Sequence, residues 1–433
     1  RQMKYGQGWD KARDQFENGA WGPAFDGNMT TYGVPLYDYN GDGTINTDGI
    51  GWVDDDDLSA DNPAAINAAY IARPNEIKNF FKTGTTRSHG ITLNAGSEGK
   101  YALLNINNSQ RDFVLEGDKS NKTSFLFKGG VKLDKLSFDG GINYIRTDFS
   151  QNTTMYDDDG NGSLYWALLQ SSPDIPITSY ANNSSDIAYT YNIYYMNPYW
   201  KMKHARQDYK KDYFSANLGF GYEFNKHINV RYTANLQGTF TSSQSHRDAW
   251  SKSIYSGAVA PYMKNVTSSL FLSDTNSLDY YGDLLLNFDY DLTTDINAKL
   301  NLGHNYQERR YQVMENGGAN LAFPGVYTMA NINQPLPFSS TFLENGTFRK
   351  NSHSLFANLD LAYKNFLFLN ATARNEFVST LSKENNSYFY PSVGLSFVPT
   401  KAFNFGGSTV NYLKISGGWS RVGNSKGIGW YEL

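Results

Sequence analysis

The 433-residue chain contains no cysteine, so a disulfide framework, a thiolate metal cluster and a cysteine nucleophile are all excluded. It also lacks any run of eighteen apolar residues, which excludes a helical membrane span. There is no basic excess: 38 Lys and Arg against 42 Asp and Glu leave a formal charge of −4, and with it no general electrostatic reason to bind nucleic acid. The six histidines, at positions 89, 204, 227, 246, 304 and 353, show no zinc-protease spacing. A phosphate-cradling glycine loop and a nucleophile elbow are missing as well. Nothing here supports an enzyme. Hydrophobic residues make up only 40%, yet aromatics reach 15%, too many for a generically disordered chain. The first residues, Arg1-Gln2-Met3-Lys4-Tyr5, are neither an initiator methionine nor a signal peptide, and the sequence reads as a piece of something longer.

What is present is period-two alternation over stretches of about ten residues. In 212–224, Phe214, Ala216, Leu218, Phe220, Tyr222 and Phe224 share one face, with Ser215, Asn217, Gly219, Gly221 and Glu223 on the other. That pattern is a strand with one apolar face. In 228–237, Ile228, Val230, Tyr232, Ala234 and Leu236 repeat it, and the three residues between make the pair a hairpin. A second hairpin sets Leu284, Leu286, Phe288, Tyr290 and Leu292 beside Ile296, Ala298, Leu300 and Leu302. Weaker alternation at 89–96, 100–107, 123–133, 136–147, 354–363, 366–377, 388–398 and 412–421 brings the expected total to twelve strands. Carboxylates such as Asp283 and Asp289 fall on the polar face and read as a solvated wall.

The connections alternate in length. Short turns fall at 96–99, 134–135, 225–227, 293–295 and 364–365, and long polar segments at 108–122, 148–210, 240–279, 307–350 and 378–387. One end of the sheet is trimmed and the other carries large loops. With one apolar side per strand, this predicts an all-β antiparallel transmembrane barrel, lipid on the apolar side and water in the lumen. A soluble sandwich would show the same alternation strand by strand. Strands long enough for a tilted bilayer crossing, strand-end aromatics and long loops at one edge favour the barrel.

Two segments carry candidate metal chemistry. Asp38, Asn40 and Asp42 sit at positions 1, 3 and 5 of a calcium-type loop, Gly43 at 6 and Thr44 at 7. Position 12 is Gly49 rather than an acid, so closure falls to Asp48 or to the following run Asp54 to Asp57, a departure from the standard loop. A hydrated acidic turn is the alternative. The poorer copy at 157–164 lacks an acid near position 12 and reads as such a turn. A third segment, 189–200, holds Tyr191, Tyr194, Tyr195, Tyr199 and Trp200, whose flat faces suit sugar rings or peptide side chains and also the packing of a large loop.

Several segments, in order, resemble the barrel of the SusC/RagA family of TonB-dependent outer-membrane transporters from Bacteroidota. Asn18-Gly19-Ala20-Trp21-Gly22-Pro23-Ala24-Phe25-Asp26-Gly27 is similar to the family's NGSWGPKFDG stretch. Pro173-Asp174-Ile175-Pro176-Ile177-Thr178 followed by Asn197-Pro198-Tyr199-Trp200 resembles its PPDIPLT…NPYW loop. Ala371-Thr372-Ala373-Arg374 with Tyr390-Pro391-Ser392-Val393-Gly394 resembles a further hairpin, and 413–424 resembles LRGSWGVTGN. Where the family reads Arg-Arg-Asp-Gly, this chain has Arg374-Asn375-Glu376-Phe377, which weakens any role carried over to that turn.

The resemblance implies a 22-stranded barrel, of which residues 1–433 supply the central part, with the plug domain and TonB box outside this chain. It implies nutrient import across the outer membrane of a Gram-negative bacterium, passing oligosaccharide or peptide captured with a SusD-like surface lipoprotein and driven by TonB. The five aromatics become candidate substrate or lid contacts, and Asp38, Asn40, Asp42, Thr44 and Asp48 candidate Ca²⁺ ligands. A family barrel serving as a structural subunit of a larger outer-membrane complex is the alternative, and a diffusion porin is disfavoured by the motifs.

Overall fold

A computed structural model describes residues 3–6, 20–33, 65–154, 163–175, 177–182, 197–250, 265–335, 346–404, 407 and 410–423. Two short strands, β1 (Met29–Gly33) and β2 (Ala65–Ala69), form a separate antiparallel pair. The main sheet comprises β3 (Thr85–Ser97), β4 (Lys100–Asp112), β5 (Lys119–Leu133), β6 (Leu136–Asn152), β7 (Ala205–Asn225), β8 (Ile228–Arg247), β9 (Ser269–Asp291), β10 (Ile296–Leu321), β11 (Ile332–Pro335), β12 (Gly346–Tyr363), β13 (Leu367–Val378), β14 (Ser387–Phe397) and β15 (Ile415–Ser420). Four short helices accompany it: α1 (Glu76–Phe80), α2 (Leu164–Leu169), α3 (Pro198–His204) and α4 (Pro399–Ala402). Among the described residues, no helix is long and apolar enough to cross a membrane.

Twelve strands follow one another in chain order, each antiparallel to the last, from β3 to β15, with β11 paired beside β10. These are the twelve strands that alternation predicts. Nine of them are longer than it predicts, up to the 26 residues of β10, while β13 and β14 match the expected length and β15, at 6 residues, is shorter. Past Gln307 the alternation in β10 lapses, with Glu308 and Arg310 on one face and Arg309 on the other, so the period-two signal fades. The ladder continues because it is made of backbone groups, as Arg310 facing Leu278 and Arg349 shows. Segments that read as loops at 240–279 and 307–350 are therefore partly strand.

Register aligns the apolar faces into one belt. Ile91 faces Ile106, which faces Phe125, then Tyr144 and Phe214. Farther along, Val230, Leu286, Leu302, Ala357 and Ala373 lie side by side on five neighbouring strands. No second layer covers this belt among the described residues: Ile91 is 65% exposed, Leu218 56% and Leu355 59%. A soluble sandwich would bury these side chains against a facing sheet. A continuous apolar band on one side of a long antiparallel sheet is the signature of a lipid-facing wall.

Aromatics bound the belt on both sides. Near the short turns, Phe138 packs on Phe220, Tyr222 on Phe224, and His227 stacks on Tyr290 at 4.4 Å. Toward the long loops, Phe377, His353 and Tyr306 lie in one cross-strand row, with His353 stacked on Phe377 at 4.8 Å. Along β10, ten residues separate Ile296, the partner of Tyr363, from Tyr306. At ~3.4 Å per residue and a tilt of ~40°, that is about 26 Å, the height of a bilayer's apolar band.

Candidate functional site

The opposite face of the sheet is a hydrogen-bonded polar wall. Asn229, Asn287, Asn301, Asn358, Thr372 and Ser392 form one row across six strands. Within it the Asn287 amide donates to Asn229 at 2.7 Å, and the Thr372 and Ser392 hydroxyls meet at 2.5 Å. The row below carries charge: Lys299 contacts Asp289 at 3.0 Å, and Asn370 donates to Asp360 at 2.6 Å. Farther round, Arg231 reaches Asp139 at 2.8 Å. Asp283 and Asp289 thus stand on the polar face, where alternation places them.

Above these rows a recess of about 340 Å³ opens on the same wall, lined among others by Tyr281, Asp283, Asn305, Phe356, Asn358 and Arg374. Phe356 lies across Gly303, where an added Cβ would sit 2.1 Å from the ring, so only glycine admits the aromatic flat against the sheet. The recess offers a carboxylate, a guanidinium, amides and an aromatic face. That mixture suits transient hydrogen bonding to a polar oligomer. Arg374, Asn375, Glu376 and Phe377 are strand residues of β13, so the turn that the sequence suggests there lies beyond Val378.

At the long-loop end the chain builds a compact rim. Tyr70, Phe80, Leu115, Leu164, Leu168, Ile175, Ile177, Tyr199 and Met202 form one buried cluster, with Phe25 packed against it. Three segments that carry the family resemblance meet here. The Tyr70 hydroxyl donates to the Pro23 carbonyl at 2.9 Å, and its ring packs on Phe25. The Arg73 N–H donates to the Pro173 carbonyl at 2.8 Å and the Thr178 N–H to the Glu76 carboxylate at 2.8 Å, which ties the second segment to α1 and the turn before it. In the third, Asn197 accepts from the Tyr199 N–H at 2.9 Å, and Pro198 occupies the first turn of α3, an N-terminal arrangement suited to helix initiation.

Tyr199 is 8% exposed and packs on Phe80, with ring centroids 4.7 Å apart. Burial, reinforced by the charges of Glu76 and Glu116, pushes its phenol up to about 12. Trp200 is equally buried and stacks on His204 at 4.9 Å. Tyr191, Tyr194 and Tyr195 lie outside the described residues, as do Asp38, Asn40, Asp42, Thr44 and Asp48. Among the described residues, no group of three or more His, Asp or Glu is placed to hold a metal ion.

A second rim contact escapes sequence reasoning altogether. His204, at the end of α3, meets Asp248 at 2.7 Å, and the Tyr327 hydroxyl donates to the other Asp248 oxygen at 2.7 Å. The carboxylate clips together segments 79 residues apart. Burial alone would raise the Asp248 pKa, but the hydrogen bonds from His204 and Tyr327 outweigh it and hold the group below its usual value. Burial, then the bond to Asp248, pushes the Tyr327 phenol up. A depressed carboxylate contributes stability present above its unfolded pKa and lost as pH falls through the folded one. A raised phenol contributes stability present below ~10 and lost at higher pH. The protection of the amides at residues 248 and 327, taken relative to intrinsic exchange at each pH, is therefore expected to be high at neutral pH and to fall below about pH 4 and above about pH 10; protection that does not vary with pH would refute the clip.

Neither a family model nor a curated protein matches the chain at a significant level. Solved structures do. The RagAB peptide importer in its "open-open" state superposes with a TM-score of 0.66 at 15% identity, over 82% of this chain and 38% of that one. Its "closed-closed" state gives 0.62 at 15% identity, with the same coverage of both chains. Another RagAB peptide transporter structure gives 0.60 at 14% identity, over 79% and 38%. The fold is that of a SusC/RagA-type barrel. In a SusC/RagA-type barrel the apolar belt faces lipid, the polar wall lines the lumen, and the short turns and long loops mark opposite membrane faces. The chain spans well under half the length of the structures it matches.

Proposed function

We propose that this chain forms part of the wall of an outer-membrane nutrient importer in a Gram-negative bacterium of the Bacteroidota type. The observation that carries the reading is the two-faced sheet: an unbroken apolar belt in register with rows of amides, hydroxyls and paired charges. A water-filled passage for a polar oligomer needs such a wall. Peptide is the cargo named for the RagAB structures it resembles, and the recess with Asp283 and Arg374 suits the backbone amides and termini of a peptide as well as sugar hydroxyls. By the resemblance, a SusD-like lipoprotein closes the loop end and TonB supplies energy through a plug. Tyr191, Tyr194, Tyr195, Tyr199 and Trp200 are proposed to contact cargo or lid, Tyr199 and Trp200 acting through the packed rim they build.

The test is uptake of labelled peptides and oligosaccharides by cells carrying the full-length protein. The expected result is TonB-dependent accumulation. The Asp283→Ala/Arg374→Ala double variant is expected to lower accumulation several-fold with unchanged surface abundance. Absence of uptake for both cargo classes, together with a degenerate plug in the full gene, would instead favour a structural subunit.

Calcium binding by Asp38, Asn40, Asp42, Thr44 and Asp48 belongs to the same proposal, as a device that stiffens a loop. Chelator is expected to speed proteolysis within 34–64 in the full-length protein, and an unchanged cleavage rate would count against it.

A further inference from the structure

Just beyond the Tyr306 row, the belt-side face of β10 stops being apolar and becomes charged. The next two outward residues are Glu308 and Arg310, and Arg349 of β12 is the cross-strand partner of Arg310. Two guanidinium groups side by side would repel one another. Glu308 prevents this by accepting from Arg310 Nε at 2.6 Å, from Arg349 Nη2 at 2.7 Å and from the Tyr306 hydroxyl at 2.5 Å. The carboxylate is nearly covered, at 10% exposure, while the arginine side chains stand 57% and 56% exposed. The trio keeps a net charge of +1. Each arginine spends one of its five N–H groups on Glu308, and its planar fork matches phosphate geometry.

Depth identifies what this face meets. Arg310 lies four residues beyond Tyr306 along the tilted strand, about 10 Å above the upper aromatic row. The hydrocarbon core is ~30 Å thick and the bilayer ~40–45 Å with its headgroups. Arg310 and Arg349 therefore reach the headgroup layer of the leaflet on the long-loop side, with Tyr280 beside Glu308, Tyr306 one step lower and Tyr232 lower still, the Tyr232 and Tyr280 hydroxyls 2.7 Å apart. By contrast, Arg309, one position away, is on the lumen face and is held by Asp279.

We propose that Arg310 and Arg349, braced by Glu308, bind the phosphate of a phosphorylated lipid headgroup in the outer leaflet. The site rests on the belt facing lipid and does not depend on import. It fastens the barrel vertically: the arginine fork holds the headgroup while the tyrosines and the belt below accept the acyl chains.

The experiment uses the full-length protein, folded in neutral detergent and judged by its heat-modifiable band on gels. Binding of bis-phosphorylated lipid A and of enzymatically dephosphorylated lipid A is measured by native mass spectrometry. Wild-type protein is expected to retain the phosphorylated form, with inorganic phosphate at millimolar concentration failing to displace it. The Arg310→Gln/Arg349→Gln variant is expected to lose about thirtyfold in affinity, and Arg309→Gln to behave as wild type. Should the double variant fail to fold, the single Arg349→Gln variant and the wild-type preference for phosphorylated lipid carry the test. Equal retention of both lipids, undiminished binding by the folded double variant, or displacement by inorganic phosphate would each overturn the proposal. Loss of the heat-modifiable band in wild type would instead indict the barrel itself.

Discussion

Leu302→Arg is expected to destabilise the membrane-inserted barrel by about 2–4 kcal/mol, because it places a guanidinium near the bilayer midplane on the lipid side. Leu302 faces Leu286 on β9 and Ala357 on β12 and is 40% exposed on the belt. Midway between the two aromatic rows, the new side chain cannot reach either headgroup layer cheaply. The neighbouring change Asn301→Arg puts the same group on the polar wall, among Asn287 and Asn358, where water solvates it. Its effect is expected to stay within about 0.5 kcal/mol. Urea unfolding of the full-length protein in lipid vesicles measures both. A loss at Asn301 equal to that at Leu302 would reverse the assignment of the two faces.

Tyr199→Ala is expected to cost the rim about 3–5 kcal/mol, the usual penalty for emptying a buried aromatic site. The ring is 8% exposed and packs on Phe80 within a cluster that draws on the segments preceding β3, between β4 and β5, and between β6 and β7. The damage should be local. Hydrogen exchange is expected to accelerate across α1, α2 and α3, while the ladders of β8, β9 and β10 keep their protection. Tyr199→Phe preserves the volume and is expected to be close to neutral. The pair separates a packing role from a contact made through the hydroxyl: if Tyr199→Phe abolishes uptake while exchange at the rim is unchanged, the hydroxyl touches cargo or lid directly.

Alternation at Phe214 to Phe224 and Ile228 to Leu236 was enough to read the strands of the wall, since a membrane barrel must present apolar atoms to lipid and polar atoms to water on successive residues. The same rule hid the upper parts of β8, β9, β10 and β12. Above the membrane both faces are wet, selection for alternation ceases, and Arg309, Arg310 and Gln312 look like loop though they sit in a ladder. The candidate site was legible only in part. Asp283 was readable as a lumen-face residue, but its neighbour Arg374 comes from β13, some ninety positions away, and register alone brings the two to one recess.

By itself, then, the sequence determined the class of the fold, the number of strands in the main path and which side of each meets lipid. These follow from local rules: one residue's polarity against that of the next. The tertiary structure decided the rest. It joined Pro23, Pro173 and Tyr199 into one rim core, set His204 and Tyr327 on a single carboxylate, and aligned Arg310 with Arg349 at headgroup depth. Such meetings depend on strand register and loop closure between distant residues, and a one-residue slip would send every one of those strand side chains to the opposite face.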